Sequence, residues 1–271
     1  PEHSHVWRMR GEAYMRLRQP DAARADLIQA LRRNPHDAAS YAALALVLTQ
    51  QGYTGQALEA ARRAVALDPA AGAGRRVLAL ALRALDRRAE SAAELVAALD
   101  AGSPAAWWAE LASDWEAIGD NVRATEAWRH AATAAPADAE HRFRLARLLA
   151  RAGDGTEAEA HLRTALELHP THAAAHALLA EILAAGGAGD EAAAHAHQAV
   201  ALDPRPSGHW RALGIALHAH GEHTQAADAL RRAHELDPAD GHTALLLGLA
   251  LLDAGEHVAA GVALAAAASA A

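Results

Sequence analysis

Proline recurs along the chain at Pro35, Pro69, Pro104, Pro136, Pro170, Pro204 and Pro238, and four of the six gaps are 34 residues. A fixed period of that length constrains the fold more than any other feature. It marks a stacked array in which one short supersecondary unit is copied and each copy buries its apolar face on the next. Such an array grows by addition, so 271 residues need not divide into separate domains. It also offers a surface for holding other molecules and brings no catalytic pocket of its own.

Composition sharpens the kind of unit. The chain is 52% hydrophobic but only 4% aromatic, so alanine and leucine carry most of the apolar content. These residues favour helices and close helix packing, and strand formers are scarce. The net charge of −8 argues against nucleic acid as a partner. There is no cysteine, hence no disulfide, thiolate metal site or thiol nucleophile, and the compartment stays open. Arginine without lysine fits the codon bias of a GC-rich bacterial genome. Pro1-Glu2-His3 lacks a start methionine and any signal-peptide pattern, which suggests an excised or processed segment. The long apolar stretch from Val258 to Ala271 is too short and alanine-rich for a membrane span.

Alignment on the prolines gives units 4–37, 38–71, 72–104, 105–138, 139–172, 173–206, 207–240 and an incomplete 241–271. The first reads Trp7, Arg10, Gly11 and Tyr14, then Ala23, Leu27, Ala30 and Pro35; the seventh reads Trp210, Leu213, Gly214 and Leu217, then Ala226, Leu230, Ala233 and Pro238. This pattern resembles the tetratricopeptide repeat (TPR) family, whose signature is W-x-x-L-G-x-x-Y, then A-x-x-x-F, then P. The resemblance covers essentially the whole chain. It implies an all-α fold, a right-handed superhelical solenoid of antiparallel helix-turn-helix repeats.

The residues support two turns per unit without the family name. Each first helix pairs a bulky with a small residue toward its second helix: Trp108 with Ala112, Leu145 with Ala146, Leu179 with Ala180. Small residues at Ala57, Ala124, Ala158, Ala192, Ala226 and Ala260 let the second helix approach. Gly52, Gly119, Gly153, Gly187, Gly221 and Gly255 fit a left-handed cap between the helices. Asp68-Pro69, Asp203-Pro204 and Asp237-Pro238 end the second helix, because proline cannot extend the hydrogen-bond ladder. Unit 3 is one residue short, with Asp86 at the glycine place and a displaced Pro104 followed by Trp107-Trp108. A local distortion is expected where units 3 and 4 meet, against the simpler reading of a harmless deletion in a turn.

The resemblance implies that places 2, 5, 9, 12 and 13 of the first helices line a concave groove. Odd-numbered units set arginine there: Arg8, Arg16, Arg76, Arg83, Arg147, Arg151 and Arg211. Even-numbered units offer Ala39, Ala42, Ala106, Ala109, Ala174 and Ala177. Guanidinium groups suit a carboxylate-bearing peptide, since their planar fork donates two parallel hydrogen bonds. Alternatively they pair with Glu12, Glu116 and Glu181 and only solvate the groove. Phe143 is either an anchor for the partner or a packing residue, and Ile215 and Leu249 would add apolar contact. The lysine and asparagine clamp by which some family members hold chaperone C-termini is absent, as is the asparagine ladder of the O-GlcNAc transferase arm.

The 18 histidines concentrate after His161. His172 and His176, with His169 before them, have helical metal spacing, but His176 takes a buried place and nothing completes a ligand set. His195 with His197, and His218 with His220, fall on different helix faces. No metal or cofactor is expected. The last unit offers Leu245, Leu249 and Leu252 outward, which suggests self-association, further chain, or an added domain. No phosphate-binding loop or nucleophile elbow is present. The expected function is a non-enzymatic interaction scaffold that binds a protein or peptide in its groove. The alternative is the substrate-recruiting arm of a larger enzyme of glycosyltransferase, sulfotransferase or hydroxylase type.

Overall fold

The computed structural model describes residues 3–100 and 102–270; Pro1, Glu2, Ala101 and Ala271 lie outside the described residues. They form sixteen α-helices and no strand. The chain makes two compact units, Pro1–Ala135 and Pro136–Ala271.

The first unit holds α1 (Ser4–Arg16), α2 (Pro20–Arg33), α3 (Ala38–Gln50), α4 (Thr54–Leu67), α5 (Gly72–Ala84), α6 (Arg88–Ala98), α7 (Ala105–Ile118) and α8 (Asn121–Ala134). The second holds α9 (Ala139–Ala152), α10 (Gly155–Leu168), α11 (Ala173–Ala185), α12 (Gly189–Leu202), α13 (Ser207–His220), α14 (His223–Leu236), α15 (Gly241–Asp253) and α16 (His257–Ser269). Within each unit consecutive helices pair as hairpins, and each hairpin's second helix packs on the first helix of the next. Odd-numbered helices begin at residues 4, 38, 72, 105, 139, 173, 207 and 241.

The turn inside each hairpin is the same everywhere. A residue with positive φ follows the first helix, at Gly52, Gly119, Gly153, Gly187, Gly221 and Gly255, with φ between 79° and 91°. Glycine suits this place because it has no Cβ to clash with the preceding turn. In the first and third hairpins Arg18 (φ 56°) and Asp86 (φ 57°) take the same conformation, so the turn geometry is kept even where its preferred residue is missing.

Packing within hairpins depends on small residues at the eighth place of the first helix. Ala45, Ala79, Ala112, Ala146 and Ala180 are at most 1% exposed. Gly214 shows the limit of that approach: a Cβ there would lie 2.4 Å from Leu230 Cγ, a contact no side chain tolerates. Ala23, Ala57, Ala124, Ala158, Ala192, Ala226 and Ala260 are fully buried on the opposing helices. Trp108 instead stacks on His130 of its own second helix, with ring centroids 4.2 Å apart.

The shortened third hairpin differs from the others where it meets the fourth. Its missing residue is not in the Asp86 turn. The second helix α6 has 11 residues where α2, α4 and α8 have 14, and the connection to α7 is lengthened in return. Asp100 and Ser103 close that connection: Ser103 Oγ donates to Asp100 Oδ1 at 2.9 Å and accepts from the Asp100 backbone N–H at 2.9 Å. Pro104 is therefore not the helix-ending proline of the other units but the residue immediately before α7, with φ −58° and ψ 143°.

Candidate functional site

Sequence placed seven arginines in a common groove. In the first unit Arg8, Arg76 and Arg83 are engaged inside the chain. Arg8 bonds Glu12 at 2.7 Å and lies 3.6 Å from Asp37. Arg76 makes a bidentate pair with Glu110 of α7, at 2.9 and 2.5 Å. Arg83 is held more deeply: both Asp114 oxygens accept from it at 2.9 Å, and the Glu110 carbonyl accepts at 2.6 Å. Arg88 (3.2 Å) and Ser91 Oγ (2.5 Å) also reach Asp114, which is completely buried. Arg76 and Arg83 thus join α5 to α7 as structural groups rather than standing ready for a partner. Arg16 is exposed in the last turn of α1.

The second unit gathers its residues differently. Phe143, Arg147, Ala150 and Arg151 of α9, Ala174, Ala177, Leu178 and Glu181 of α11, and Gly208, His209 and Arg211 of α13 line one open cleft of about 370 Å³. Four of the sequence candidates, Phe143, Arg147, Arg151 and Arg211, meet there because three successive first helices lie side by side. Small residues form the floor, so the cleft has room between the guanidinium groups. Phe143 is half-buried and its ring leans on His172 at 4.6 Å between centroids, tilted by 45°. Arg211 bonds Asp240 at 3.1 Å and lies 3.6 Å from Glu181. Burial pushes the Glu181 carboxyl up from its ordinary range, and the Arg211 charge pulls against that. The Asp240 carboxyl is held down, chiefly by the Thr243 hydroxyl that donates to it at 2.6 Å.

Two family models, both described as Tetratricopeptide repeat, match the chain: one over residues 8–72, 110–170 and 189–241, the other over 149–214. Together they cover well over half of it. The chain belongs to the tetratricopeptide repeat family. Among solved structures, YrrB, described as a TPR protein with an unusual peptide-binding site, is similar at 22% identity and TM-score 0.62, covering 72% of this chain and 97% of its own. PilF of Pseudomonas aeruginosa matches at 20% identity and TM-score 0.65, covering 76% and 94%. A tetratricopeptide repeat protein from Parabacteroides merdae matches at 14% identity and TM-score 0.57, covering 93% and 100%. These likenesses show a shared fold. Among curated proteins none matches significantly. The family makes the chain a repeat scaffold of the protein-interaction kind.

In four of the hairpins the family's tryptophan place is a polar fastener. Trp210 Nε1 donates to the Pro204 carbonyl at 2.8 Å, and Arg75 and Arg142 donate to Pro69 and Pro136 at 3.1 Å. His176 Nε2 pairs with the Pro170 carbonyl at 3.0 Å. Each ties a first helix to the loop six residues before it, so tryptophan, arginine and histidine serve the same donor role in these four hairpins. His172 is not a helix-face partner of His176 as the spacing suggested. It caps α11, its Nδ1 accepting from the Ala175 N–H at 3.2 Å.

The remaining candidates lie outside the cleft lining. Ile215 is half-buried one turn along α13, and the cleft's apolar surface comes instead from Ala150, Ala174, Ala177 and Leu178. Leu245, Leu249 and Leu252 lie along one face of α15 and are 39–44% exposed. Glu12 and Glu181 neighbour arginines, and Glu116 accepts from Trp128 Nε1 at 2.6 Å. Sequence reasoning missed Asp114. Its signal was an acidic residue at a place that is apolar in every other unit: Ala13, Val47, Ala81, Leu148, Ile182, Ala216 and Ala250. No helix is long and apolar enough to cross a membrane among the described residues.

Proposed function

We propose that this chain is a non-enzymatic scaffold whose second unit captures an extended protein segment bearing carboxylates. The observation that carries this is the convergence of Phe143, Arg147, Arg151 and Arg211 on one small-floored cleft. An aromatic ring beside guanidinium groups is the combination that anchors peptides, and hydrogen bonds to charged groups are worth about 1.5–3 kcal/mol each. The unusual peptide-binding site described for YrrB supports a peptide as the occupant of a stack of this kind. Selection from a random peptide library tests the reading. Acidic sequences should be enriched, and Arg147→Glu with Arg151→Glu should abolish that enrichment while Arg232→Glu, on α14 outside the cleft, preserves it. Enrichment without acidic bias, or unchanged by the cleft pair, overturns it.

A second reading concerns α15. Its exposed leucines at 245, 249 and 252 follow one helical face, the pattern of a contact surface, and support self-association or an added domain there. Light scattering tests self-association. The parent should be heavier than Leu249→Glu, and identical masses dismiss the dimer.

A further inference from the structure

The turn between α13 and α14 brings together two histidines that their sequence spacing keeps apart. Gly221, at φ 91°, reverses the chain, with its N–H donating to the His218 carbonyl at 3.0 Å. His223, the first residue of α14, then faces His218 in the last turn of α13. Their Nδ1 atoms are 3.4 Å apart and the rings are inclined by 64°. Asp253, the last residue of α15, lies 3.6 Å from His218 Nε2. One ligand atom from each of the three residues lies within 4.8 Å of the others.

We propose that His218, His223 and Asp253 form a site for a divalent transition-metal ion of the zinc class. A nitrogen separation of 3.4 Å is longer than an ordinary hydrogen bond to N–H. It equals the edge of a tetrahedron whose corners lie roughly 2.0–2.1 Å from a central metal, about 3.3–3.4 Å. Asp253 approaches His218 at Nε2, the ring nitrogen that does not face His223, so its half-exposed carboxylate must turn toward the paired Nδ1 atoms to supply the third ligand, and water completes the four. Imidazole with carboxylate suits zinc, nickel or copper and disfavours magnesium and calcium, which take oxygen ligands. Neighbouring His220 is engaged elsewhere, with Asp190 at 2.8 Å and Glu222 at 3.3 Å. The arrangement is also not a by-product of the repeat. The places matching His218 in the other hairpins of this unit carry Ala150, Ala184 and Leu252. An ion bound here joins α13, α14 and α15, and so fastens the hairpin α15–α16 to the one before it.

The test is calorimetric titration of the chelator-treated protein with Zn²⁺ alone, alongside thermal melting. The parent should take up one tight equivalent and melt at a higher temperature with zinc. His218→Ala and His223→Ala should each weaken that equivalent at least tenfold and remove the thermal shift, with helicity unchanged. His197→Ala and His257→Ala should keep both effects, which separates this site from scattered surface imidazoles. Absence of a tight equivalent in the parent, or its survival in the His218→Ala/His223→Ala double variant, overturns the assignment.

Discussion

Asp114→Ala is the perturbation that probes the first unit most sharply. The carboxylate is fully buried and holds Arg83 through two hydrogen bonds, Arg88 through a third and Ser91 through a fourth. Removing one side of a buried ion pair costs about 3–5 kcal/mol, because the partner charge is left without compensation. Arg83 keeps the Glu110 carbonyl and both arginines are partly exposed, so the lower end, about 3 kcal/mol, is expected. In a cooperative unit of this size that lowers the melting temperature by roughly 10 °C. Thermal melting by circular dichroism reads the total, and hydrogen exchange should place the loss in α5–α7. The same reasoning predicts recovery when Asp114→Leu is combined with Arg83→Met and Arg88→Met, since apolar replacement of a buried ion pair is often neutral. Leu148 fills the equivalent place of the fifth hairpin with 2% exposure, so the packing has a precedent within the chain. An Asp114→Ala protein that melts within about 3 °C of the parent would refute the argument, being under 1 kcal/mol.

Other outcomes follow from particular residues. Arg18→Gly should raise the melting temperature by a few degrees, because a side chain at φ 56° carries about 1 kcal/mol of strain that glycine lacks; no rise means the turn is relaxed. Glu181→Gln should tighten binding of an acidic peptide several-fold in fluorescence anisotropy, since it removes a like charge 3.6 Å from Arg211; weaker binding would show that the carboxylate helps. Burial, and after it the charge of His176, holds the His195 imidazole below the ordinary histidine value. The unfolded chain therefore takes up that proton first, and stability drops as pH falls from the ordinary value, about 6.5, to the lowered one. Chemical denaturation should show a smaller loss from pH 7.5 to 5.5 in His195→Gln than in the parent, and equal losses would discount the effect.

The architecture was legible because its determinants are local and periodic. A glycine after most first helices, a small residue at their eighth place and a proline after most second helices each act within one hairpin, and repetition multiplies the signal. The cleft was legible in part. Phe143, Arg147, Arg151 and Arg211 could be placed on one face by counting along three helices, but counting does not reveal what each guanidinium meets. Arg76 and Arg83 occupy the same face and are consumed by Glu110 and Asp114, 34 and 31 residues away. That pairing is a tertiary fact with only a compositional trace, the lone acid among apolar equivalents. The histidines were harder still. His218 and His223 point apart on any helical wheel and meet only because Gly221 turns the chain between them.

Photo-crosslinking from the cleft floor tests the central claim most directly. A photoreactive amino acid at Ala174 lies among the cleft residues, and one at Val262 lies on the exposed face of α16 as the comparison. The account predicts that partner adducts form from position 174 far more than from 262, and that Arg147→Glu with Arg151→Glu abolishes them at unchanged helicity. Adducts of equal yield from both positions, or adducts at 174 indifferent to the arginine reversals, would contradict it.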